Sequence, residues 1–161
     1  MGGEVMEKHS NLEHTDEDMV KMEVNLDDTT GELLGYLMDL LFETGANDVY
    51  YTPIYMKKNR PAIMLSILTH QSRIEEIKHI LFKETTTLGI RYYPLIVHRL
   101  AREFTEVHTK WGTVHVKQGY YQGVLMNASP EYEDCLHISH REDIPLKEVY
   151  YEVWKKIYLN L

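Results

Sequence analysis

In "EVNLDD", residues 23–28, Glu23, Asn25 and Asp27 alternate with apolar residues, and Asp28 follows directly. Oxygen donors gathered where a strand ends suit a hard cation such as Mg2+ or Mn2+. The same residues can also do less: Asp28 and Thr29 can simply cap a helix, with Glu23 a solvated strand residue. In "MKKNRPAIML", 56–65, Lys57, Lys58 and Arg60 precede an apolar run. A guanidinium fork and two ammonium groups can hold phosphate oxygens, although charges on a hairpin also protect a sheet edge. In "FKETTTLGIR", 82–91, Lys83, Glu84, Thr85, Thr86, Thr87 and Arg91 lie together. Three consecutive threonines suit a helix interior poorly. This stretch therefore reads as a loop ending a helix, whose hydroxyls can meet a phosphate, a sugar or a metal-bound water. The metal candidates are Glu23, Asp27, Asp28 and Glu84. His98, Arg99 and Arg102 form a further basic run, read as structural or interfacial.

Elements of regular structure must position these groups. Residues 20–28, "VKMEVNLDD", put Met22, Val24 and Leu26 on one face and Glu23, Asn25 and Asp27 on the other, the period of a half-buried strand. Thr29 with Glu32 fits a capping box opening a helix over about 30–44, and Gly45 suits its C-terminal end. Strands are predicted at 48–56 and 61–68, joined by the "KKNR" hairpin. A second helix over 72–84 starts from Ser72 and Glu75 and presents Ile74, Ile77 and Leu81. A fourth strand spans about 89–100, placed at an edge by Pro94. Strand, helix, strand, strand, helix, strand is the ferredoxin-like split βαβ order, with both helices on one face of an antiparallel sheet.

Beyond residue 100 come three short strands, "REFTEVHT", "GTVHVKQGY" and "GVLMNA", with Trp111-Gly112 in a turn. A helix follows with Ser129 as its cap and Pro130 in its first turn. The last helix carries Leu146, Val149, Val153 and Ile157 on one stripe. The expected class is α+β: a tail or linker at 1–19, a ferredoxin-like part at 20–100, and a small strand and helix part at 101–161. His9 and His14 in that tail are either metal contacts or members of a solvated segment.

Composition narrows the function. The 161 residues are 43% apolar and 26% charged, as in a soluble globular protein, with net charge -8. That sign does not suit a general nucleic-acid binder, so an anionic ligand needs a local cationic cluster. One cysteine, Cys135, points to a reducing cytoplasm rather than a disulfide scaffold. No apolar run reaches the ~20 residues of a membrane span. Phosphate-binding glycine loops, zinc spacings and a nucleophile elbow are absent. Twelve tyrosines exceed the needs of one small core and point to a homo-oligomer.

In combination, "VNLDD", "GANDV", "PIYMKKNRP", "ETTTLGIR" and "PEYEDC" resemble the C-terminal region of LarC-type nickel insertion proteins, over about residues 20–155. The resemblance implies insertion of nickel, as substrate metal, into pyridinium-3,5-bisthiocarboxylic acid mononucleotide. The product is the nickel-pincer cofactor of lactate racemase, and the reaction is a cyclometallation (lyase class) coupled to CTP hydrolysis with Mg2+ or Mn2+. It implies a larger N-terminal part as partner and CTP on this region. Lys57, Lys58, Arg60, Thr85, Thr86, Thr87 and Arg91 are then the nucleotide candidates. The alternative is a non-catalytic ferredoxin-like module that assembles or regulates.

Overall fold

A computed structural model of the chain describes residues 12–159. Two compact units divide it. Asp16–Val97 form the first, and the second takes in His98–Leu161 with the described residues ahead of Asp16.

The first unit contains β1 (His14–Leu26), α1 (Gly31–Glu43), β2 (Asp48–Met56), β3 (Arg60–His70), α2 (Ile74–Glu84) and most of β4 (Arg91–Arg99). The sheet order β2-β3-β1-β4 is the ferredoxin-like one expected from the element order. β3 pairs antiparallel with both β1 and β2, bringing Val24 opposite Leu65 and Glu23 opposite Ser66. The alternation in β1 therefore sorts as its period requires. Val20, Met22, Val24 and Leu26 join Leu65, Ile67 and Val49 in a core closed by Leu37 and Leu41 of α1 and by Ile77 and Leu81 of α2. Met22, Leu65, Ile67, Ile77 and Leu81 are wholly buried. Each such side chain contributes about 1.5–3 kcal/mol. Both edge strands carry an exposed proline, Pro53 in β2 and Pro94 in β4.

The ends of these elements differ in detail from the sequence reading. The α1 cap is Thr30, not Thr29: its Oγ1 accepts from the Leu33 amide at 3.4 Å. At the other end Gly45 takes φ +97°, its amide donating to Phe42 and that of Ala46 to Leu41, a Schellman ending. Along α1, Leu37 and Leu41 are buried, whereas Leu33 is 54% exposed. Ser72 does not cap α2. Its amide donates instead to the His70 ring, which opens a short 3-10 turn ahead of the helix. Residues 1–11 of the expected tail lie outside the described residues, His9 among them. Residues 14–19 are strand, and the His14 ring lies 2.7 Å from the Leu12 carbonyl.

The second unit holds β5 (Ala101–Thr109), β6 (Gly112–Tyr121), β7 (Val124–Pro130), α3 (Tyr132–Glu142) and α4 (Leu146–Leu159). The strands form a meander in the order β5-β6-β7. Val107, Val114 and Val116 pack with Cys135 and Ile138 of α3 and with Val149, Val153 and Ile157 of α4. The stripe predicted for the last helix is thus its buried face. Ser129 and Pro130 lie inside β7, and α3 opens from Glu131 without a side-chain cap. The ladder to β6 extends through Pro130 and claims these residues before the helix can.

Candidate functional site

The three chemistry-bearing stretches come to one end of the first sheet. β3 runs antiparallel to β1, pairing Leu26 with Ile63, so the start of β3 lies beside the end of β1. β4 begins there too: Arg91 Nε donates to Glu23 Oε2 at 2.8 Å, and a terminal nitrogen donates to Asn25 at 2.8 Å. That nitrogen also lies 3.2 Å from Met64 Sδ. Arg60 reaches Asp27 at 3.0 Å, and Thr86 donates to Asp28 at 2.7 Å.

Glu23 is the centre of the arrangement. Its carboxylate accepts from Arg91, from Lys21 at 3.0 Å and from Tyr93 at 3.2 Å, with 11% of the side chain exposed. Arg91 and then Lys21 hold its carboxyl below the ordinary carboxylate range, against the opposing effect of burial. Tyr50 and then Glu23, both beside its ammonium, keep Lys21 protonated above the usual lysine range. Its ammonium also lies 5.5 Å from the Tyr50 ring centroid. Arg91 is half exposed, so its fork is fixed on one side and open on the other.

The remaining candidates are placed differently. Lys57 and Lys58 occupy a 3-10 turn, Lys58 and Asn59 having φ of 62° and 56°, with both lysines exposed. Among the described residues neither has an ion-pair partner. Glu84 faces Lys83 at 3.2 Å. Thr85 donates to the Leu81 carbonyl and accepts from the Thr87 amide, while Thr87 donates to the Gly89 carbonyl. Thr85 and Thr87 thus shape the loop, leaving Thr86 to meet Asp28.

Among the described residues no three His, Cys, Asp or Glu side chains gather into a metal cluster. Asp27 and Asp28 are adjacent and exposed at the sheet end, the arrangement that suits an ion sharing one or two carboxylates with ligand oxygens. Lys21, Tyr50 and Tyr93 were missed by sequence reasoning. Lys21 and Tyr93 each stand two residues from a recognised candidate on the same strand face, and that period was the available signal.

Comparison with known proteins gives the family. The family described as nickel insertion protein matches residues 5–150. The pyridinium-3,5-bisthiocarboxylic acid mononucleotide nickel insertion protein of Thermotoga petrophila is 45% identical over 146 residues, covering 91% of this chain and 37% of its own. Its namesake from Clostridium acetobutylicum is 42% identical over 135 residues, covering 84% and 32%. The chain therefore spans about a third of the length of these relatives. A solved structure, LarC2, the C-terminal domain of a cyclometallase involved in the synthesis of the NPN cofactor of lactate racemase, superposes with a TM-score of 0.84 at 38% identity, covering 89% of this chain and 99% of that one. Protein MK0293 of Methanopyrus kandleri matches with a TM-score of 0.65 at 25% identity. The chain belongs to the nickel insertion protein family.

Proposed function

We propose that this chain is the CTP- and divalent-metal-binding part of a nickel insertion protein. The whole protein places nickel, its substrate metal, into pyridinium-3,5-bisthiocarboxylic acid mononucleotide to form the nickel-pincer cofactor, with hydrolysis of CTP. The observation that supports this is the pairing of opposite charges at one sheet end, Arg60 on Asp27 beside Arg91 on Glu23. A metal-bridged triphosphate asks for both signs at once. Arg60, now on Asp27, would hold phosphate oxygens, and Asp27 with Asp28 would hold the ion, so each charge would keep a partner. Lys57 and Lys58 approach the phosphates from the turn. Glu23 and Asn25 keep the Arg91 fork aimed, and Thr86 adds a hydroxyl. Mg2+ or Mn2+, when bound, neutralises charge on the phosphates. Glu84 stays with Lys83.

The rest of the protein, absent from this chain, is the partner that completes nickel insertion. The buried, unpaired Cys135 fits work in a reducing cytoplasm. Exposed Tyr92, Tyr93 and Ile96 on β4 supply apolar area for a homo-oligomer, which light scattering at micromolar concentration tests.

Calorimetry of Mn–CTP binding decides the main reading. Each of Lys57→Ala, Lys58→Ala and Arg60→Ala removes a charge-assisted contact of ~1.5–3 kcal/mol and should weaken binding by about tenfold to a hundredfold. Parent-like binding by all three moves the phosphates elsewhere. CTP bound but never consumed, even with the remaining part of the protein joined, identifies a regulatory module.

A further inference from the structure

The second unit has a cavity of about 320 Å3, lined among others by Arg99, Arg102, Lys117, Gly119, Asn127 and Ser129. Strand register explains why these residues meet. Arg102 pairs with Gly119 and Gly119 with Asn127, making one row across the three strands. Lys117 and Ser129 form the next pair on the same face. The valines that face α3 and α4 alternate with these residues, so the cavity lies on the face opposite the helices.

Its floor is backbone. Gly119 is buried, and among the described residues only Gly45, Gly112 and Gly123 are glycines with positive φ. A positive φ therefore does not demand a glycine at 119, which stands at the register shift between Gly119 and Tyr120, but an added side chain would be crowded. An added Cβ would stand 3.1 Å from Leu100 Cδ1 and 3.7 Å from Asn127 Cβ. The missing side chain leaves a hollow between Arg102 and Asn127.

The walls donate hydrogen bonds. Two guanidinium groups, an ammonium, an amide and a hydroxyl line the hollow, and no carboxylate does. Lys117 is held by Glu131 at 3.0 Å, and Arg102 has no ion-pair partner among the described residues. Leu100 gives one apolar wall, and the volume exceeds what a phosphate alone fills. Ligand pockets begin at about this size.

We propose that this cavity is a second anion site, taking the phosphate monoester of a mononucleotide with its sugar or ring against Leu100. It is independent of the triphosphate reading, since none of its residues belongs to the first sheet's charged end. The monoester has two sources: a pyrimidine nucleotide such as CMP, or a pyridinium mononucleotide.

Isothermal titration of the full chain with CMP, with nicotinic acid mononucleotide and with inorganic phosphate is the test. One or both mononucleotides should bind more tightly than inorganic phosphate, and the tighter one identifies the source. Arg102→Ala should weaken that binding by about tenfold or more. Arg60→Ala should leave it within twofold. Gly119→Ala, checked for fold by circular dichroism, should weaken the mononucleotide more than inorganic phosphate, because its methyl group narrows the hollow and leaves the cations in place. No mononucleotide binding, or equal binding by parent, Arg102→Ala and Lys117→Met, overturns the proposal. Loss on Arg60→Ala with none on Arg102→Ala assigns the ligand to the first sheet and overturns it equally.

Discussion

At the charged end of the first sheet, Arg60 and Arg91 each face a carboxylate, and the acid Glu23 is almost buried beneath its cations. On the second sheet Arg102 has no such partner among the described residues, and no acid lines its cavity. The first arrangement is charge-balanced and already held together without ligand. The second keeps donors at the wall of a hollow, where Lys117 has Glu131 and Arg102 is left to find an acceptor. Balance costs ligand affinity, since a phosphate must displace an internal partner, and it gives rigidity in return. A cation without an acid beside it, as Arg102 is among the described residues, gives up that stabilisation and keeps its attraction for anions.

The sharpest way to break this contrast is Glu23→Gln. It leaves Arg91 and Lys21 side by side without their acid and should cost about 2–3 kcal/mol in urea unfolding, less than a fully buried pair because Arg91 is half exposed. A loss under ~0.5 kcal/mol would mean the cluster is not rigid. Next come Asp27→Asn and Asp28→Asn, nearly isosteric changes that should reduce the advantage of Mn2+ over metal-free CTP binding by about tenfold, or ~1.4 kcal/mol. An unchanged metal advantage would reduce both acids to structural roles. For the second sheet, Arg102→Ala and Lys117→Met should each shift stability by no more than ~0.5 kcal/mol. A larger loss would show that these cations carry structure and would erase the comparison.

A pH series sharpens it further. His115 and Asp134 approach to 2.7 Å. The Asp134 hydrogen bond raises the His115 pKa. Burial pushes the Asp134 carboxyl up, but its bonds to the His115 amide and ring outweigh this and leave it lowered. The raised His115 contribution is complete below its unfolded value of ~6.5 and fades as pH rises through the folded one. The lowered Asp134 contribution is complete above ~4 and fades as pH falls through its folded value. The stability difference between parent and His115→Gln should therefore peak between about pH 4 and 6.5 and shrink toward pH 8. A difference flat across that range would remove the ion pair.

What the sequence disclosed follows from range. The alternation of Met22, Val24 and Leu26 and the stripes of α2 and α4 are local periods, and they appear in the structure as read. The capping-box spacing belongs to Thr29 with Glu32, yet the helix starts one residue later and Thr30, with Leu33 in the third position, is the cap. A histidine ring accepting from the Ser72 amide has no place in that pattern. The early part of β1 shows little burial ahead of Met19, leaving no apolar signature to extend the strand. Arg91 and Glu23 stand 68 residues apart, so their bond is set by strand order, which the element sequence implied without naming the pair.

The prolines at the two edges of the first sheet have a consequence for the protein in crowded solution. An added strand docks by reading a row of amide donors, and Pro53 and Pro94 each leave a gap in that row. Growth by backbone templating is stalled at either margin, which protects the chain from fibre formation. Docking of another chain on this unit is then left to side chains rather than to an added strand.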